Sequence, residues 1–213
     1  MKNFLAFTLA ETLIVMGVIG IVSALTLPNL NSSTGDKERV AKVKKIYQNL
    51  NDAFGRAEAV YGPYEEWLLN DSDGASRNKR TGERMTEFMK LSKDCGLTAG
   101  CGSSSTNKYK AITADGMALL IVTPNIIVDI DGPTNGSTAP GKDSFQFVID
   151  TEKGIMPNCH DKEFSHVLLD MNAAKNCASS WIINYDNADY LKLNSSGKCP
   201  NGTTPTEANP SCK

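Results

Sequence analysis

The sequence predicts an α+β protein in which one long N-terminal helix, apolar in its first half and amphipathic in its second, packs against an antiparallel β-meander. Three observations predict it. Residues 12–30 carry no charge and are mostly apolar, residues 36–61 repeat apolar side chains every three or four positions, and from Lys108 onward short β-rich runs alternate with glycine-centred turns. The chain of 213 residues suffices for one domain with a full core plus an appendage. Its formal charge of −2 gives no global attraction to nucleic acid or anionic membrane.

The N-terminal run reads FLAFTLAETLIVMGVIGIVSALTLPNL over residues 4–30. After Lys2 the next charge is Glu11, and none follows until Asp36. At about 1.5 Å per residue, Thr12 to Leu30 is long enough for a hydrocarbon layer of roughly 30 Å. Lys2, the apolar stretch and the small residues Val22-Ser23-Ala24 also match a cleavable secretory signal. Glu11 weighs against that reading, because it cancels the lone positive charge and has no use in a segment that is discarded. An acid in a membrane helix costs about 2.5–3.5 kcal/mol at the bilayer centre and less near the interface, so it marks a partner. A cut between Ala6 and Phe7 would create such a partner, an α-amino group four residues before Glu11.

These residues resemble the class III signal and N-terminal helix of type IV pilins and of the pseudopilins of type II secretion systems. The short basic leader, the small residue before the cut, Phe7 as first mature residue, and the positions of Glu11 and Pro28 after it match the family pattern. The resemblance implies cleavage between Ala6 and Phe7 by a prepilin peptidase, N-methylation of Phe7, and assembly into a filament through the N-terminal helix. It implies as partners copies of this chain and related pilins, the peptidase, an inner-membrane assembly platform and membrane lipid. The pattern departs at Ala6, where the family usually has Gly, and at Ala10, which replaces a larger apolar residue. The expected organisation is a leader over 1–6, a transmembrane and assembly helix over 7–30, its amphipathic continuation over 31–62, and a disulfide-bearing head over 63–213. The chain would sit in the bacterial inner membrane as a single-pass protein with its head outside the cytoplasm, and in a periplasmic or cell-surface filament after assembly.

Within the helix, a buried carboxylate paired to one amine fixes the axial register between neighbours. Gly17, Gly20 and Ala24 are small residues at three- and four-residue spacing that let helices approach closely, though such glycines are also ordinary in membrane helices. Pro28 lacks an N–H, so a bend, or a kinked or melted hinge over the NSSTG of residues 31–35, is expected. From Asp36 the helical period resumes, with Val40, Val43, Tyr47, Leu50, Phe54, Ala57 and Tyr61 on one stripe and Gly62-Pro63 as the stop. Lys37, Arg39, Lys42, Lys44 and Lys45 would, on the positive-inside rule, place the following domain in the cytoplasm. No aromatic residues interleave with them and Asp36 and Glu38 dilute them, so nucleic acid is not an expected partner, and a solvated or lipid-facing surface is.

The six cysteines point the other way. Cys95, Cys101, Cys159, Cys177, Cys199 and Cys212 form no C-x-x-C pair, and the only imidazoles are His160 and His166. An even count without metal-ligand spacing indicates disulfides and an oxidising compartment. Among 15 connectivities, spacing favours Cys95 with Cys101, Cys159 with Cys177, and Cys199 with Cys212.

In the head, YEEWLLNDSDGASRNKRTG reads as a short helical turn and a polar loop, and ERMTEFMKLS as a helix facing Met85, Phe88, Met89 and Leu91 inward. KYKAIT and MALLIVTP form a hairpin around Ala114-Asp115-Gly116, and NIIVDID, SFQFVID and IMP add further strands. KEFSHVLLDMNAAKNC reads as a helix, and SWIINYDNADYLKL as a late strand or extended segment. Asp129, Asp131, Asn135 and Asp143 offer hard oxygen ligands in a glycine-rich loop, which makes calcium a candidate cofactor. The spacing is not that of an EF-hand, and turn-forming and capping roles explain the same residues. Some pseudopilins hold calcium in such a loop. No nucleophile elbow, phosphate loop or metalloprotease helix is present in the sequence, so a structural rather than enzymatic role is expected. The competing class is an extracellular adhesin or binding domain, or less readily an enzyme, that uses the helix as an anchor.

Overall fold

A computed structural model describes residues 9–68, 73–133 and 139–212, with side chains outside 23–33 and residue 68. The protein is α+β, with six antiparallel strands in one sheet and helices before and after it. The chain divides into two units at Glu38/Arg39.

Helix α1 spans Leu9–Tyr61. Its assignment runs unbroken through Pro28 and residues 31–35, so the expected hinge is not a melted segment. One proline removes a single N–H from the ladder, and long helical stretches on both sides already carry the cost of nucleation. In the first unit, α1 leaves large apolar side chains exposed. Among the described residues no helix is long and apolar enough to cross a membrane. The span expected over 7–30 is therefore not met by them: side chains are described only from Leu9 to Val22 of that run, about 21 Å of helix, with Glu11 among them.

In the second unit, α1 buries Val40, Val43, Ile46, Leu50, Ala53, Phe54 and Ala57, with Tyr47 and Tyr61 packed at the edge. The expected stripe is present and wider, gaining Ile46 and Ala53. Gly62 ends the helix at φ 79°, its N–H donating to the Glu58 carbonyl at 2.9 Å.

Helix α2 (Tyr64–Leu68) folds back so that Tyr64 and Trp67 pack edge to face at 5.3 Å and both rings lean on Phe54. Helix α3 (Gly74–Thr86) occupies most of what reads as a polar loop in the sequence and ends four residues into the stretch expected to be helical. Asp73 determines the start: its carboxylate accepts from both the N–H and the hydroxyl of Ser76 at 2.8 Å. Met85 is buried as expected, whereas Phe88 and Met89 only pack against the core and Leu91 opens a strand.

The sheet runs in sequence order through β1 (Leu91–Gly96), β2 (Tyr109–Thr113), β3 (Ala118–Val122), β4 (Asn125–Asp129), β5 (Ser144–Asp150) and β6 (Gly154–Pro157). The expected meander from β2 to β6 is present; β1 is an additional edge strand whose register shifts twice against β2. One face carries the core in two cross-strand rows, Tyr109, Ile121, Ile126, Phe147 and Pro157 beside Ala111, Leu119, Val128 and Phe145. Tyr47 of α1 stacks on Phe147 at 5.7 Å and 14°. Helix α3 packs on β1, β2 and β3.

Helix α4 (Phe164–Asn172) lies where expected and buries Val167 and Met171. The segment expected to be extended is instead helix α5 (Ala178–Tyr185) followed by a 3-10 turn (Asp189–Lys192). Ala178, Trp181 and Ile182 recur at helical spacing and are buried, and Asp186 closes the helix at φ 56°. Burial of the Trp181 ring outweighs the β-propensity of Trp-Ile-Ile-Asn-Tyr. All six cysteines pair as spacing suggested: Cys95–Cys101, Cys159–Cys177 and Cys199–Cys212.

Gly82 in α3 lies on the Tyr109 ring so closely that an added Cβ would stand 2.2 Å from Cγ. Gly82→Ala is expected to lower stability by about 1–3 kcal/mol, because overpacking exceeds the roughly 1 kcal/mol of helix propensity gained. Gly55→Ala on exposed α1, with open space at the Cβ, should instead stabilise. Urea midpoints of the two variants check this; equal stabilisation by both would contradict the packing.

Candidate functional site

Two regions carry the residues singled out from the sequence. The first is the N-terminal unit. Ala6 and Phe7 lie outside the described residues. Glu11 occupies the first turn of α1, where the helix dipole favours a carboxylate, and its side chain is exposed. Around it Leu9, Leu13, Ile14, Met16, Val18 and Ile21 are each more than half exposed, on every side of the helix. Gly17 and Gly20 have nothing within 4 Å of a notional Cβ, so the surface at both is free for close approach. Pro28 belongs to α1, but its side chain lies outside the described residues.

The second region is the acidic corner after β4. Asp129 ends the strand half-buried, and the exposed Asp131 follows two residues on, its N–H donating to Asp129 Oδ1 at 3.3 Å. Asp143 is drawn to the same corner from the start of β5: its carbonyl accepts from the Ile130 N–H at 2.8 Å, and its carboxylate accepts from the Ala139 N–H. Gly132 turns the chain at φ 87° so close to the β2–β3 turn that a Cβ would meet the Gly116 carbonyl at 2.6 Å. Burial, then the hydrogen bond to and charge of the Asp131 carboxylate, push the Asp129 carboxyl up to about 7, with Asp143 adding to the rise. Asn135, the fourth candidate ligand, lies outside the described residues. Among the described residues no group of three or more His, Cys, Asp or Glu is placed to hold a metal ion. What the corner does hold is the Asp129 and Asp131 carboxylates close together, a like-charge pair whose repulsion a hard dication would relieve.

The histidines lie elsewhere. His160 Nε2 is 3.7 Å from Asp150 Oδ2 and its Nδ1 is buried without a partner, while His166 is exposed on α4. The basic cluster is partly spoken for within the head: Lys44 pairs with Asp186, Lys45 with Asp115 at 2.8 Å, and the Arg39 guanidinium donates to the Lys142 carbonyl at 2.6 Å. Sequence reasoning missed Lys110. Alternation along YKAIT puts it on the face opposite the core, which predicts exposure, yet it is fully buried, its ammonium donating to the carbonyls of Ser103 and Ser105. Desolvation pulls its pKa down.

Comparison of the chain with protein-family models, with curated proteins and with solved structures gives no match in any of the three.

Asp129 sets a pH dependence whose sign is fixed. Its folded pKa of about 7 lies above the ordinary 3.8, so between these values the folded state binds more protons and this group's contribution to stability falls as pH rises. Asp129→Asn should lessen the loss of melting temperature between pH 5 and pH 7.5 relative to the parent chain. Thermal melts at the two pH values check it, and parallel losses in both proteins would contradict the assignment.

Proposed function

We propose that the chain is a structural subunit of a type IV pilus-like filament or of a type II secretion pseudopilus. In this reading a prepilin peptidase cuts between Ala6 and Phe7 and methylates the new amine, and the mature chain waits in the inner membrane before assembly. The observation that carries the reading is Glu11: a carboxylate in the first turn of α1, surrounded by exposed apolar side chains, four residues after Phe7. An apolar surface on all sides of a helix is not stable against water. A bilayer covers it before assembly and neighbouring helices cover it afterwards. In either setting the carboxylate is costly unless paired, and the Phe7 amine of a neighbour supplies a cation at one axial offset only. Gly17 and Gly20 permit the close approach that such pairing requires.

The three disulfides support a head outside the cytoplasm, where cystines persist. The remainder of the head supports a subunit built for display: a rigid sheet packed on the second half of α1. Calcium at Asp129, Asp131 and Asp143, with Asn135 as a further ligand, would stiffen the loop after β4.

Glu11→Ala should leave expression, membrane insertion and the melting temperature of the head unchanged while abolishing filaments seen by electron microscopy of overexpressing cells. Filaments of normal number and length from that variant would refute the register role. For the acidic corner, millimolar calcium should raise the melting temperature of the parent chain and leave Asp131→Ala unmoved; no shift in the parent removes calcium from the account.

A further inference from the structure

The helices that meet the sheet use one face of it. Helix α1 reaches it through Tyr47 on Phe147, α3 through Gly82 on Tyr109, and α5 stands beside α1, joined to it by the Lys44–Asp186 ion pair. An antiparallel sheet with its other face in water carries polar side chains there. This one does not. On the face turned away from the helices, Val122, Asn125, Val148 and Met156 form one cross-strand row, and Leu120, Ile127 and Gln146 form the next. Five of these seven side chains are apolar, and all seven are half-buried, with part of their surface in water.

The polar groups of this face are already engaged. The Gln146 amide donates to Asn125 Oδ1 at 2.8 Å, so the two amides serve one another across the strands. Lys110 continues the Leu120 row onto β2 and turns its ammonium into the carbonyls of Ser103 and Ser105 in the loop after β1. That loop covers the β2 margin of the face and leaves a cleft of about 120 Å³ onto which Leu120 and Ile127 open. The carboxylates on strands β3 to β6, Asp129 and Asp150, stand at opposite ends of the sheet. Drying the two rows therefore buries no further charge and leaves neither amide without a partner.

Charge, shape and size select the occupant. An uncharged surface offers nothing to nucleic acid, to an acidic peptide or to lipid headgroups. The cleft at its margin is smaller than the roughly 300 Å³ at which small-molecule sites begin. A regular sheet face fits another sheet face at a separation of about 10 Å, and one without charge meets its own copy about a two-fold axis without repulsion. Strands β3 to β6, about 4.8 Å apart and about 17 Å long, give an area of roughly 300 Å². A stable interface takes roughly 800 Å² from each partner, so one pair of such faces holds weakly and an array of them holds well. We infer that the outer face of the sheet is a contact surface between the heads of two copies of this chain, packed sheet to sheet, and that it joins filaments side by side. The step from pair to filament rests on the filament reading above; the contact between heads does not.

The full chain is placed in nanodiscs of zwitterionic lipid at one copy per disc, which keeps the N-terminal helices apart. Half of the discs carry a donor dye at the chain's C-terminus and half an acceptor. Energy transfer between discs should rise with concentration and saturate in the range of about 0.1–1 mM. Ile127→Lys and Val148→Lys, which put a charge on the face, should each weaken it about tenfold or more, whereas Leu169→Lys, at an exposed position on α4, should not. The methyl signals of Leu120, Ile127, Val148 and Met156 in the parent chain should broaden over the same range, a readout that needs no substitution. No transfer up to about 1 mM, transfer unaffected by both lysine variants, or bleaching of these methyls by spin-labelled lipid, which would make the bilayer the occupant, overturns the inference. The discs hold no filament, so the outcome is independent of the cut at Phe7.

Discussion

Between Val40 and Ala57 one side of a single helix supplies the wall on which the head is built. Val43, Ile46, Leu50 and Phe54 point at a sheet face made of Tyr109, Ile121, Ile126, Phe145 and Phe147, and the stacked Tyr47–Phe147 pair joins the two surfaces. Each of these side chains contributes on the order of 1.5–3 kcal/mol by leaving water. The sheet cannot cover this face by itself, and the helix cannot hide the stripe by itself. Helices α2 and α3 then complete the core on one flank, Trp67 against Phe54 and Gly82 against Tyr109, and α5 completes it near β5 and β6.

The same helix follows a different rule before Glu38. From Leu9 to Val22 its apolar residues face outward on every side and Glu11 stands among them, a composition suited to lipid or to other helices and not to water. One continuous element thus joins a surface that demands external partners to a surface that is satisfied internally. In the filament reading this division is the purpose of the helix: the head folds once and for all, and the N-terminal half exchanges one apolar environment for another. The Glu11 carboxylate then converts a non-directional apolar association into one with a defined register.

Much of the head was legible in the sequence because its decisive signals are local. The meander from β2 to β6 shows period-two alternation between turns in which Gly116 and Gly154 adopt positive φ, and the cystines join nearest neighbours. What was not legible depends on tertiary partners. Most of helix α3 is polar in composition and owes its place to the Asp73 cap and to a glycine beneath Tyr109, so residues 74–82 read as a loop. Helix α5 carries β-favouring residues that are overridden by the burial of Trp181 and Ile182. Edge strand β1, LSKDCG, is too polar and too irregular in register to show alternation. Of the candidate site, the sequence named Asp129, Asp131 and Asp143 as neighbours by composition, and the fold brings them to one corner through the β4–β5 pairing.

The central claim is that the partner of Glu11 is created by a cut. Mass spectrometry of the mature chain from native membranes tests it most directly. The account predicts a protein that begins at Phe7 and carries one methyl group on its terminal amine. A chain that retains Met1, or that begins beyond Glu11 as a secretory-signal cut at Ala24 would require, contradicts it.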